Sequence, residues 1–138
     1  MAVKKDPQSN KQLGAWFEQY VCTMLAHRGW WAHFITPSRI GSQPFDIIAM
    51  KGDKVLALDC KTCSTPNFSL SRVEDNQMFA FDNMTQKTSA VCGFLVQWND
   101  RIYFLKWDFV RTAIFMGRSS IKLTDERLFD FDESLCSE

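Results

Sequence analysis

Apolar positions fall at helical spacing early in the chain and at strand spacing after it. Leu13, Trp16, Phe17, Tyr20, Val21, Met24 and Leu25 recur at intervals suited to one helix face. Residues 11–28 are therefore predicted as a helix, capped by Ser9 or Asn10 and ended by Arg28-Gly29. Trp30 to Ile35 reads as a strand, and Thr36 to Gln43 as a polar loop with Pro37, Arg39 and Gly41. Two strand-like runs follow, 43–50 and 54–61, joined by Lys51-Gly52-Asp53-Lys54, a hairpin signal. Ser71 and Glu74 have capping-box spacing and predict a helix to about Gln86, with Val73, Ala80, Phe81 and Met84 facing inward. Val91 to Trp98 and Arg101 to Leu105 form a second hairpin around Asn99-Asp100. Asp108 caps a short helix closed by Gly117. Residues 118–123 are a short basic strand or arm, and Thr124 to Leu128 a last helical turn. This order is that of an α+β domain, a mixed sheet with helices on both faces. The run 54–61 is apolar on both sides, as a central strand is.

The first hairpin brings chemistry with it. A turn at Gly52-Asp53 pairs Lys51 with Lys54 and, carried along the strands, sets Asp46 directly opposite Asp59. Lys61 lies two residues beyond Asp59 and so on the same face. A bare carboxylate pair at that spacing is costly unless a cation joins it. The pattern suits a hard divalent ion with a lysine beside it to act on a water or on developing charge. A solvated hairpin edge is the bland alternative.

The composition narrows the class. At 138 residues the chain forms one domain, with a polar N-terminal arm over 1–10 and an acidic tail over 125–138. No apolar run approaches a membrane span, and Met1 to Asp6 lacks an apolar leader, so a cytoplasmic protein is expected. The zero net charge hides an asymmetry. Six of the 16 acidic residues and one of the 16 basic ones lie from Asp125 onward, which leaves the rest of the chain at +5. That balance admits a nucleic-acid partner without requiring one.

Other residues carry open readings. Five cysteines without a leader point to free thiols. Cys60 and Cys63 have CxxC spacing, but no second such pair completes a zinc set, and Cys60 alternates away from Asp59 and Lys61. Glu18 sits at the edge of the first helix's apolar stripe, as a surface or a site residue. Gly14 costs that helix about 1 kcal/mol relative to alanine and leaves room for a strand or a phosphate backbone. Gln77 lies on an apolar stripe, where it needs a partner: nearby backbone, or the carboxylate site. Ser38, Arg39, Ser42 and Gln43 form a loop that suits phosphate. His27 and His33 read as structural.

In this order the residues resemble a known family. Glu18, then Pro44-Phe45-Asp46, then Asp59-Cys60-Lys61 resemble the PD-(D/E)XK nuclease signature, with Asp where many members have Glu. Gly14 to Glu18, Phe68 to Leu70 followed by Gln77, Gly93 to Leu95, Tyr103 to Leu105 and Gly117 to Lys122 bring the chain nearest to Holliday junction resolvases of the RecU type, and more distantly to the archaeal type. The segment from Trp31 to Asp46 is short for the RecU stalk, and the basic arm is reduced. The resemblance implies a restriction-endonuclease-like fold and a Mg²⁺-dependent endonuclease (Mn²⁺ a possible substitute) acting on DNA as a homodimer, with no membrane involved. It implies Asp46, Asp59, the Cys60 carbonyl and Glu18 as the metal set, with Glu18 reaching the ion through water or holding a second one. Lys61 and Gln77 complete the catalytic group. Lys4, Lys5, Lys11, Arg39, Arg72 and Arg118 are candidate DNA contacts. Three rival readings stand beside it: another nuclease of this fold, a binding module that kept the fold without the chemistry, and a cysteine-based redox or zinc protein.

Overall fold

The structure is a computed structural model, and it describes residues 10–35, 43–124 and 129–130. The chain runs α1 (Asn10–His27), β1 (Trp31–Phe34), β2 (Ile47–Lys51), β3 (Lys54–Thr62) and β4 (Asn67–Ser69). A single 3-10 turn (Leu70–Arg72) leads to α2 (Asp75–Lys87). Then come β5 (Val91–Trp98), β6 (Arg101–Lys106), α3 (Trp107–Phe115), β7 (Ser120–Lys122) and β8 (Phe129–Asp130). Among the described residues, no helix is long and apolar enough to cross a membrane.

Six strands form one sheet in the order β1-β2-β3-β5-β6-β8. Its centre is the parallel pair β3 and β5, in register from Leu56↔Val91 to Thr62↔Gln97. A parallel pair needs a crossover, and α2 supplies it. The other pairs are antiparallel. The sheet is apolar on both faces because both are covered. Phe17, Val21, Met24 and Leu25 of α1 pack with Ile47, Leu56, Leu58 and Leu95 on one side. Phe81 of α2 and Trp107, Val110 and Ala113 of α3 pack with Ala57, Phe94 and Leu105 on the other. Alternation along β3 thus sends even positions toward α1 and odd positions toward α2 and α3.

Both hairpins take the expected register. Lys51 faces Lys54 across the turn at Gly52, where φ is +61°. Trp98 faces Arg101 across a turn in which Asn99 takes a positive φ. Gly29 ends α1 with φ +86°, a left-handed residue just past the helix.

Several boundaries differ from the sequence reading. α2 begins at Asp75 rather than Ser71, because its capping box is Glu74 with Gln77. Leu70 is buried in the preceding 3-10 turn and Val73 is extended, so the apolar anchors there overrule the serine cap. α3 begins at Trp107, capped from Lys106 rather than Asp108. The arm at 120–122 is a strand, paired with β4 in a small second sheet. The expected turn at Thr124–Leu128 and most of the acidic tail lie outside the described residues; Phe129–Asp130 adds an edge strand to β6.

β5 and β6 approach closely at Gly93. A Cβ there would lie 2.4 Å from the Leu105 carbonyl oxygen and 2.8 Å from Phe104. Backbone cannot give way as a side-chain tip can, so Gly93→Ala is expected to destabilise the domain by about 1–3 kcal/mol. A urea titration would show this as a lower midpoint at unchanged slope.

Candidate active site

The site forms where β2 leaves β3. Their ladder ends at Ile47↔Leu58, one residue short of the two aspartates. The chain bends at Asp46, whose N–H donates to the Leu58 carbonyl at 3.0 Å, one step out of register. The expected square pairing of Asp46 with Asp59 is therefore replaced by an offset one. β3 runs on to Thr62 with β5 as its neighbour. The Cys60 N–H, left on the opened side, donates to Asp46 Oδ2 at 2.9 Å. A carboxylate thus takes the place of a strand carbonyl, and Asp46 is turned inward against β3.

Gln43 braces the bend. Its Nε2 donates to the Ile35 carbonyl at 3.0 Å and sits 3.5 Å from Asp46 Oδ1. The Ile35 N–H donates to the Asp46 carbonyl at 2.7 Å. The sequence places Gln43 in a loop that suits phosphate and at the start of the run 43–50; its position just before Pro44 sets it at the entry to the bend.

The acidic residues feel one another's charge. Asp59 is only 4 % exposed. Burial first, and then the charge of Asp46, raise its pKa to about 7, against the opposing pull of Lys61. Lys61 Nζ lies 3.0 Å from Asp59 Oδ2, yet that buried oxygen has no hydrogen bond of good geometry. Glu18 is also raised to about 7, by burial and then by Asp46. Three carboxylates and a lysine therefore share one electrostatic site, fed from α1, the bend before β2, and β3.

The cysteines stay outside this chemistry. Cys60 packs on the α1 side, and Cys63 is buried on the opposite side. Two residues on opposite faces of a strand cannot close on one ion, so the CxxC spacing carries no metal site. Burial raises both thiols, Cys60 most strongly, with Asp46, Asp59 and Glu18 adding to its shift.

Among the described residues, no three Asp, Glu, His or Cys side chains are grouped closely enough to enclose one ion. The donors nonetheless fit Mg²⁺ or Mn²⁺ in kind. They are hard oxygens with unbalanced negative charge, one of them buried without a hydrogen bond. Mg²⁺ commonly keeps several waters and takes only one or two carboxylates, so Asp46 and Asp59 would hold it, with Glu18 reaching it through water or holding a second ion.

Two clefts flank the site. One, of about 450 Å³, is lined by Gly14, Lys61, Thr62, Ser64 and Arg72 among others. The second, of about 380 Å³, opens on Glu18 and Cys22. Gln77 is 2 % exposed, and its Oε1 accepts the Glu74 N–H at 3.1 Å. That capping bond supplies, from nearby backbone at its own helix start, the partner a buried glutamine needs. Arg118 is exposed after the end of α3. Lys4, Lys5, Arg39 and the Lys11 side chain lie outside the described residues.

The fold is that of a restriction-endonuclease-like α+β domain. No protein-family model matches the chain, and no curated protein matches it in sequence. Among solved structures, the chain is similar to Hjc, a Holliday junction resolvase of Archaeoglobus fulgidus. The TM-score is 0.60 at 15 % identity, over 86 % of this chain and 89 % of that one. At that identity the likeness is one of fold.

The raised carboxylates make a prediction for the protein in EDTA. Asp59 and Glu18 hold protons in the folded state up to about pH 7 but release them near their ordinary values of 3.8 and 4.5 when unfolded. The folded state therefore binds more protons in that window, and stability falls as pH rises through it. Thermal melts between pH 5 and pH 8 are expected to show this decline, and Asp59→Asn to flatten it. A melting temperature that rises over the same range would contradict the assignment.

Proposed function

We propose that the protein is a metal-dependent DNA endonuclease that resolves four-way junctions by paired nicks, working as a two-fold dimer. The observation that carries this reading is the approach of Asp46, Asp59 and Lys61 where β2 parts from β3, with Glu18 electrostatically coupled to Asp46. A phosphodiester is anionic, so its hydrolysis needs local positive charge and a positioned water. Mg²⁺ held by Asp46, Asp59 and the Cys60 carbonyl, with Glu18 in its outer shell, would neutralise the phosphate and make a bound water more acidic. Lys61, anchored 3.0 Å from Asp59 Oδ2, orients the attacking water and balances charge growing on the phosphate oxygens. Asp46 is held ready by the Cys60 N–H, so the site does not have to form its geometry during the reaction.

The likeness to the Archaeoglobus protein supports a resolvase over other nucleases of this fold. The finer RecU-type placement rests on the sequence stretches from Gly14 to Glu18 and from Gly117 to Lys122. Two nicks on opposed strands of a junction call for two sites related by a two-fold axis, which is the ground for a homodimer.

The test is cleavage of a labelled four-way junction beside a matched linear duplex, with Mg²⁺ or with EDTA. Paired nicks in the junction alone are expected, abolished by EDTA and reduced at least about a hundredfold by Asp59→Asn. Equal cutting of both substrates would keep the nuclease and discard the resolvase. Retained DNA binding with no cutting of either would favour a binding module.

A further inference from the structure

The cleft beside Lys61 has a composition that its neighbour lacks. Its described lining carries two cations, Lys61 and Arg72, and no carboxylate. The second cleft, further along α1, has Glu18 and no lysine or arginine. A polyanion is drawn to the first and repelled from the second.

Arg72 is held at the edge of that cleft rather than left to wander. Its Nη1 donates to the Thr62 carbonyl at 3.0 Å and reaches Cys63 Sγ at 3.6 Å. Its guanidinium lies over the ring of Phe68, 5.7 Å from the centroid, and Phe68 is fully buried. An arginine has five N–H donors in a rigid fork, and Nη1 accounts for only two of them. The residue as a whole remains exposed. A pre-set guanidinium with donors to spare is a phosphate-binding arrangement.

The opposite wall supplies an independent observation. Gly14 lies within α1, where glycine is unfavourable. A Cβ built there meets nothing within 4 Å among the described residues, whose packing therefore does not call for a glycine. The open space it leaves is on the cleft that Lys61 and Arg72 share.

Resting on the nuclease reading above, we propose that this cleft seats the phosphate adjacent to the one attacked. Arg72 binds that phosphate, and Gly14 provides clearance for the strand. Lys61 stands between the two phosphates. The strand's path is thereby fixed along the α1 start and the Thr62–Ser64 loop.

The test titrates a labelled four-way DNA junction in EDTA over a series of salt concentrations, which reads binding without cleavage. Arg72→Gln is expected to weaken binding about tenfold and to lower the salt slope by about 0.9, the value for one lost phosphate contact. Arg72→Lys keeps the charge and is expected to restore the slope. Gly14→Ala is expected to melt above wild type, since alanine favours helix. Gly14→Leu is expected to stay folded and to bind DNA less tightly. If wild type binds the junction and either Arg72→Gln or Gly14→Leu keeps its affinity and slope, the cleft assignment is overturned and the nuclease reading stands. A lower melting temperature for Gly14→Ala would make the glycine structural and overturn it as well. If wild type binds no DNA, the nuclease reading falls and the cleft with it.

Discussion

The Cys60 N–H that Asp46 accepts at 2.9 Å marks the place where the sheet exchanges backbone pairing for chemistry. A strand that loses its neighbour exposes N–H groups that need acceptors. Here one of them is met by a carboxylate, and that carboxylate is fixed against the strand that carries Asp59 and Lys61. The bend at Asp46, the brace from Gln43 and the reach of Ile35 to the Asp46 carbonyl all serve this one substitution. Had β2 continued in register, its next carbonyl would have satisfied the amide, and Asp46 would have stood out on the sheet surface.

The arrangement is electrostatically costly to the fold. Asp59 is nearly buried beside a second carboxylate, and one of its oxygens lacks a hydrogen bond despite the nearby lysine. Such groups persist where the surrounding core holds them in place. The residues flanking Asp59, Leu58 and Cys60, pack toward α1, while Ala57 and Phe94 fill the other face. The unfavourable charge is thus set at the end of the buried stretch of β3, beside β5.

Much of this was legible in the residues. The Gly52-Asp53 turn fixed the register of the first hairpin, and period-two alternation put Lys61 beside Asp59. The α1 stripe placed Phe17, Val21 and Leu25 in the core and left Glu18 at its edge, near Asp46. What escaped the sequence were competitions between neighbours. Ser71 and Glu74 each offer a helix start, and the burial of Leu70 decided between them. Gln77 has the burial of a site residue and the bonds of a cap. The bend at Asp46 is a one-residue departure that the strand pattern does not encode, and the pairing of β4 with β7 joins segments some fifty residues apart. The similarity to the Archaeoglobus structure, at 15 % identity, fits this picture: the arrangement of elements is shared where few residues are.

β3 is paired on both sides along its first half, and α1 and α2 cover its faces. Its amides are therefore among those that exchange with solvent only when the domain opens as a whole. Asp59 and Lys61 follow directly on that doubly paired half and keep β5 as their neighbour. Of the two walls of the cleft, Gly14 sits on α1 outside the sheet, while Arg72 is tied to the end of β3 through the Thr62 carbonyl. On the proposed reading, the α1 wall can change over evolution without moving Asp59 and Lys61, whereas the Arg72 wall is held in step with them.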